Sequence, residues 1–75
     1  MTGKEKIEVC REIVKEHQAM KIAGTLMDAF TASAVVQVYD ALGDKNKANF
    51  EGVMEKDIVR ATQIVWATIE RSKAS

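Results

Sequence analysis

The sequence contains no proline, and its 75 residues include only one cysteine, one histidine and four glycines. With Cys10 alone, the chain forms no internal disulfide bond, and a free thiol fits a reducing compartment. One cysteine and one histidine also fall short of the four ligands that a structural zinc site requires. A domain of this length buries only about 60% of its unfolded surface. We therefore expect close helix packing and self-association to stabilise it.

An excess of charge of one sign is also missing, because eleven basic residues balance eleven acidic ones. This balance disfavours a nucleic-acid-binding protein, which usually carries a basic surface. Residues 22–42 are poor in charge, but polar residues such as Asp28 and Gln37 interrupt them, whereas a bilayer span needs about 20 predominantly apolar residues. The polar N-terminus does not read as a secretory signal. We expect a cytoplasmic protein with no membrane partner.

The first helix is predicted at about residues 3–19. Thr2 and Glu5 have the spacing of a capping box, in which each side chain accepts a hydrogen bond from the other residue's backbone N–H. One face of this helix carries a stripe of apolar residues at helical spacing. The stripe consists of Ile7, Cys10, Ile13 and Val14, with His17 at its boundary.

Residues 20–27 interrupt the helical pattern and leave two alternatives open. In the first, Ala23 and Gly24 form a tight turn between two very short strands, with Gly24 supplying a positive φ. Such a hairpin is marginal in water by itself, so it would pack on the helices or pair with the hairpin of another subunit. In the second, the segment is a plain interhelical loop.

The second helix is predicted at residues 28–42, with Asp28 as its first and Thr31 as its second candidate N-cap. Gly43 ends it at the C′ position. Apolar residues cover most of its circumference, which is typical of a helix buried on several sides. They are Ala32, Val35, Val36, Val38, Tyr39 and Leu42. Only Ser33, Gln37 and Asp40 form a polar stripe.

Two further helices are predicted after Gly43. Asp44 caps a short helix at about 45–51, anchored by Phe50 and ended or kinked by Gly52. The last helix spans about 54–71, with a core stripe at helical spacing. That stripe consists of Met54, Ile58, Ala61, Val65 and Ile69. Residues 1–75 thus form one mainly α domain, a small bundle of three to four helices, with the hairpin at about 20–27 as an additional element.

No residue pattern indicates catalysis or metal binding. Cys10 and His17 lie about 10 Å apart along a helix axis, which is too far for a shared metal ion or for a cysteine–histidine nucleophile pair. The aspartates near Gly43 lack the ligand spacing of an EF-hand. We therefore predict a protein that is not an enzyme and has no catalytic residue, metal or cofactor.

The leading functional hypothesis is a protein-interaction module that is also a homo-oligomer, a dimer or larger. Trp66 and Tyr39 are the only tryptophan and tyrosine of the chain, and both residue types are enriched in interfaces. Trp66 lies at the edge of the apolar face of the last helix, flanked by Val59, and Val36 lies on the largely apolar second helix. These four residues are the predicted interface.

Two alternatives remain. The first is a protein that binds or sequesters a small nucleotide signal, with Tyr39 stacking on a base and Lys21, Thr31 or Ser33 contacting phosphate. The second and weaker alternative is a DNA-binding regulator that uses the last helix.

The middle of the chain resembles a family of small, uncharacterised proteins encoded by phages and prophages. The matching residues are Lys21-Ile22-Ala23-Gly24, Asp28-Ala29-Phe30-Thr31-Ala32, Val38-Tyr39-Asp40-Ala41-Leu42, Asn46 and Phe50, with Trp66 in the last helix. Ala23 stands where the family carries aspartate. The resemblance implies an accessory protein in the host cytoplasm that binds a host protein and modulates a host or defence process. It implies no activity.

Overall fold

Four helices and one hairpin follow one another along the chain in the computed structural model, which describes the backbone of residues 1–74 and the side chains of residues 1–72. The elements are α1 (Gly3–Glu16), β1 (Met20–Ile22), β2 (Thr25–Met27), α2 (Ala29–Ala41), α3 (Asp44–Lys56) and α4 (Ile58–Ala74). The predicted class is confirmed: the protein is a small, mainly α bundle with a very short hairpin. None of its helices in the described part of the chain is long and apolar enough to cross a membrane.

The capping box predicted for α1 is present. Thr2 Oγ1 accepts the Glu5 backbone N–H at 3.1 Å, and Glu5 Oε1 accepts the Thr2 N–H at 2.8 Å. The helix ends three residues earlier than predicted, because His17 adopts a left-handed φ of 55° and donates its backbone N–H to Ile13. This C-cap conformation leaves His17 exposed, so its predicted place at the boundary of the buried stripe is wrong.

The hairpin alternative for residues 20–27 is confirmed. The strands pair antiparallel, with Met20 opposite Met27 and Ile22 opposite Thr25. Ala23 and Gly24 both have positive φ, 51° and 82°, as a type I′ turn requires. Ile22 and Met27 face inward and are 1% exposed, so the hairpin is packed on the helical core.

Helix α2 begins as predicted, since the Asp28 carboxylate accepts the Thr31 backbone N–H at 2.7 Å. Its end also lies where predicted, with Leu42 as the C-cap and Gly43 at the C′ position. Gly43 has no left-handed conformation; it is the N-cap of α3, with φ −73°. Leu42 is already extended, with ψ 150°, so the chain leaves α2 through two extended residues and needs no positive φ.

The first alternative for Gly52, that it ends α3, was wrong. The helix continues through Gly52 to Lys56, because Phe50 and Met54, four residues apart on one face, are both buried in the core. Asp44, predicted as the cap, is instead the first helical residue. Asp57 separates α3 from α4 and caps α4 by accepting the Arg60 N–H at 3.1 Å, so α4 starts four residues later than predicted.

The core lies between two helix pairs. Helix α1 packs against α2 and α3, and α4 packs against the same two helices. The predicted stripe of α4 is buried at Ile58, Ala61 and Val65, whereas Ile69 is only half-buried. The C-terminal half of α4 therefore extends past the part of the core that covers its first half.

Candidate interaction surface

Two aromatic rings stack at the surface between α2 and α4. The ring of Phe30, in the first turn of α2, lies 5.4 Å from the ring of Trp66, in the middle of α4, with an interplanar angle of 23°. Phe30 is 75% exposed, and Trp66 is half-buried. An exposed aromatic pair held in one geometry is the kind of feature that anchors protein interfaces.

A groove of ≈ 190 Å³ adjoins the stacked rings. Helix α2 contributes Ser33, Ala34 and Gln37 to its walls, and α4 contributes Ile69 besides Trp66. The groove follows from the composition of α2: Ala34 has a small side chain, so it leaves space between the two helices that a larger residue would fill.

A second groove, of ≈ 420 Å³, continues from the first and shares Gln37 and Ile69 with it. It lies between the C-terminal ends of α2 and α4. Val38, Ala41 and Leu42 line one wall, and Thr68 and Ser72 line the other. Because Ile69 continues the buried stripe of α4, this groove is an open extension of the hydrophobic core.

A third groove, of ≈ 220 Å³, begins at Leu42 and lies between α3 and α4. Asn46, Asn49 and Val53 of α3 form one side, and Ile64 of α4 forms the other. Ile64 is 39% exposed. The three grooves are thus connected through shared residues and follow both flanks of α4.

We call the residues that line these three grooves the uncharged face. Its sixteen members are Phe30, Ser33, Ala34, Gln37, Val38, Ala41, Leu42, Asn46, Asn49, Phe50, Val53, Ile64, Trp66, Thr68, Ile69 and Ser72. Charge depletion is typical of the cores of protein interfaces. At the chain's charged fraction of 29%, sixteen residues would include about four or five charged ones. Among the described side chains, this face has none.

Beside the uncharged face, α1, α2 and α3 carry a paired network of charged and polar groups. The Arg11 guanidinium of α1 donates two hydrogen bonds to the Asp40 carboxylate, at 2.6 and 3.1 Å, and so lowers the pKa of Asp40. Tyr39 donates its hydroxyl to Glu51 of α3, which raises the pKa of Tyr39. Lys47 Nζ lies 5.3 Å from the Tyr39 ring centre. These groups are hydrogen-bond and cation–π partners of one another, and they link α1, α2 and α3.

The four predicted interface residues separate into two pairs. Trp66 and Val59 lie seven residues apart on one row of α4; Val59 is 50% exposed, and Trp66 is half-buried. Tyr39 contacts Phe50 within the molecule, with 6.3 Å between ring centres, and Val36 is half-buried against the core. The structure therefore gives Tyr39 and Val36 intramolecular contacts.

The four residues predicted for a small ligand do not share one face of the chain. At 100° per residue, Thr31, Ser33 and Tyr39 point in directions about 80° to 160° apart around α2. The anion-binding N–H of Thr31 is already taken by Asp28, whose pKa this hydrogen bond lowers. Lys21 is exposed on β1, and Ser33 alone of the four lines the uncharged face.

Sequence reasoning missed Phe30, the most exposed large apolar residue of the described chain. A signal for it existed. Phe30 precedes Ser33 by three residues and Gln37 by seven, so helical spacing places it on the polar stripe of α2. A large aromatic residue on the polar side of a helix has no place in the core of its own chain.

Cys10 is fully buried, and burial raises the pKa of its thiol to about 11. A thiol of this kind is protonated and inert at neutral pH. Among the described residues, no group of three or more histidine, cysteine, aspartate or glutamate side chains is placed to hold a metal ion.

Comparison with protein-family models, with curated proteins and with solved structures finds no match to this chain. The resemblance to phage-encoded proteins therefore stays a prediction from the sequence.

Proposed function

We propose that the protein is a non-enzymatic protein-interaction module whose binding surface is the uncharged face. The observation that supports this proposal is the absence of charged side chains among the described residues of that face, in a chain that is 29% charged. The partner is a protein surface that is itself apolar and uncharged, because burying an unpaired charge against this face would be costly.

We expect the Phe30–Trp66 stack to contribute most of the binding energy. Interface energy concentrates in a few large side chains, tryptophan foremost, that fill well-packed pockets and exclude water. Trp66 is held against Phe30 before any partner binds, so little side-chain freedom is lost on association. Gln37 and Thr68, which border the adjoining grooves, can supply the hydrogen bonds that orient a partner.

Nucleotide binding has less support. A phosphate group is usually held by lysine, arginine or free backbone N–H groups. The described side chains that line the three grooves include neither lysine nor arginine. The biological setting that we propose, the cytoplasm of a bacterial host, with a host or defence protein as the partner, comes from the sequence resemblance alone.

Two alanine-to-lysine variants test the proposed surface. Ala41 and Ala48 are both exposed helical residues; Ala41 lines the second groove, whereas Ala48 does not line any of the three. In quantitative pull-down from bacterial lysate, we expect Ala41→Lys to lose the proteins that wild type retains and Ala48→Lys to keep them. Equal retention by both variants would show that the binding surface lies elsewhere, and no retention by wild type would argue against an interaction module.

A further inference from the structure

We infer that the groove beside the Phe30–Trp66 stack is a binding site for one tyrosine side chain of the partner. This inference rests on the proposed function, because it names the group that enters the uncharged face. The size of the groove, its aromatic wall and the amide of Gln37 together select this group.

The groove has room for a single ring. Its volume is ≈ 190 Å³, whereas a cavity of about 150 Å³ is enough to bind benzene and a site for a drug-sized ligand has about 300–1,000 Å³. Ala34, which is 6% exposed, forms the floor, and a larger side chain at this position would fill the groove. The space therefore suits one side chain of a partner and is too small for a nucleotide or a helix.

The walls favour an aromatic side chain over an aliphatic one. Phe30 and Trp66 line the groove as a stacked pair of rings, and Ile69 follows Trp66 along α4. Aromatic rings prefer offset-stacked or edge-to-face neighbours, and such pairs add stabilisation beyond the area that they bury. A third ring in the groove would extend the existing stack.

The lining of the groove changes from apolar to polar along α2. Phe30 and Gln37 are seven residues apart, which places them on one face of the helix and about 10 Å apart along its axis. In the described part of the chain, no charged side chain lines the groove, and neither Ser33 nor Gln37 uses its side chain in an intramolecular hydrogen bond. The Gln37 amide can both donate and accept, so it can bond the hydroxyl of a ring that contacts the stack.

Tyrosine is the residue that matches both ends of the groove. A phenylalanine ring would contact the stack but leave the Gln37 amide without a partner, and a charged side chain would be buried without a counter-charge. Tyrosine combines the ring and the hydroxyl on a side chain with few rotatable bonds, so little conformational freedom is lost when it is buried.

Titration of the purified protein with p-cresol, the analogue of the tyrosine side chain, tests the inference, and toluene serves as the analogue of phenylalanine. The NMR signal of the Trp66 indole N–H reports binding, because Trp66 is the only tryptophan of the chain. We expect p-cresol to shift this signal saturably in wild type. We expect Gln37→Leu to weaken p-cresol about two- to tenfold, the range for loss of one neutral hydrogen bond, without weakening toluene.

A second pair of variants tests the position of the site. Ala34→Leu should fill the groove and abolish the binding of both compounds. Ala48→Leu makes the same change at an exposed helical alanine outside the groove, so it should leave both unaffected. Circular dichroism verifies that each variant is folded; Gln37 is exposed, so Gln37→Leu tests the inference even if Ala34→Leu does not fold.

Two results would overturn the inference. One is a Trp66 signal that shows no saturable shift in wild type with millimolar p-cresol; the other is a Gln37→Leu variant that binds p-cresol as tightly as wild type does. Failure of the proposed function gives a different pattern. Lysate proteins that are lost with Ala41→Lys but retained by folded Ala34→Leu would reject the tyrosine site and keep the interaction module. Gln37-dependent binding of p-cresol by a protein that captures nothing would keep the site and reject the module.

Discussion

Gly3 of α1 lies directly against the backbone of Glu51 in α3. A Cβ atom added to Gly3 would lie 1.8 Å from the Glu51 carbonyl oxygen and 2.5 Å from its carbonyl carbon. The two helices therefore approach each other as closely as their backbones allow at this point. Lys6, one turn further along α1, reaches the end of α3 because of this approach.

Replacing Gly3 with alanine should destabilise the protein. The added methyl group meets backbone atoms, which cannot rotate away, so α1 and α3 must separate. Overpacking of this kind costs about 1–3 kcal/mol, and for a domain of 60–100 residues each kcal/mol lowers the melting temperature by about 4–8 °C. Thermal unfolding followed by circular dichroism measures the effect; an unchanged melting temperature would show that the helices do not touch here.

Replacing Gly52 with alanine should have the opposite effect and stabilise the protein. It lies inside α3, is exposed, and a Cβ atom added to it would meet nothing within 4 Å. Alanine in an exposed helix interior is favoured over glycine by about 0.5–1 kcal/mol. Gly52→Ala should therefore raise the melting temperature, and it also controls for the general effect of a glycine-to-alanine change in these helices.

Lys6→Met should destabilise the fold although it preserves the length of the side chain. Lys6 is only 5% exposed, and its Nζ donates to the carbonyls of Met54 and Glu55 at 2.8 and 2.9 Å. The variant leaves both carbonyls without this donor and removes a positive charge from the C-terminal end of α3. We expect a loss of about 1–3 kcal/mol in the free energy of unfolding, measured by urea denaturation.

Lys4→Met is the matched control, because Lys4 is exposed on the same helix, and it should change stability little. Gly3→Ala and Lys6→Met should also be less than additive when combined. The first change separates α1 from α3 and so already weakens the hydrogen bonds that the second removes. Strict additivity would show that the close approach at Gly3 and the bonds of Lys6 are independent.

The helices that the sequence predicted best are those with strong local signals. The Thr2–Glu5 capping box and the Asp28 cap were each found at the right residue, since a cap is a contact between neighbours in sequence. The end of α3 was misplaced because Gly52 was taken as a stop, whereas α2 ends within one residue of its predicted end. At Gly52 the burial of Phe50 and Met54 outweighs the helix propensity of one glycine, and that contact with the core is invisible in a local pattern.

The candidate surface was predicted only in part. Trp66 was recognised from its residue type and its place at the edge of a stripe. The stack on Phe30 joins residues 36 positions apart in the sequence, and no spacing rule within one helix indicates it. The same holds for the uncharged face, which combines segments of α2, α3 and α4 that the fold alone brings together.

Ala23→Asn should stabilise the hairpin. Ala23 holds a φ of 51°, a left-handed conformation that costs an ordinary L-residue about 1–2 kcal/mol. Asparagine tolerates this conformation, and Asn-Gly is the preferred pair for the type I′ turn that Ala23 and Gly24 form. We expect a gain of roughly 0.5–1 kcal/mol, by the cost that asparagine relieves, in thermal or urea unfolding. Ala48→Asn, in a helix, should instead lower stability slightly; equal effects of the two changes would contradict a turn-specific gain.

Asp40→Asn should remove a pH-dependent contribution to stability. Hydrogen bonds from Arg11 lower the pKa of Asp40 below its ordinary value of 3.8, so the folded state favours the ionised carboxylate. That contribution is present above the ordinary pKa and is lost as the pH falls through the lowered one. At neutral pH we expect the variant to be less stable than wild type by under about 1 kcal/mol, because both side chains are well exposed and water screens their attraction.

The difference between wild type and Asp40→Asn should shrink as the pH falls below about 4, and it should also shrink at high salt. Urea titrations of wild type and Asp40→Asn at pH 7 and at pH 2 to 3 measure this difference in the free energy of unfolding. Glu12→Gln, which changes an exposed carboxylate of α1, controls for the loss of one negative charge. Arg11 lies on α1, and Asp40 lies near the end of α2. A stability difference that stayed constant with pH would mean that packing alone, and not the attraction between these two side chains, holds the helices together.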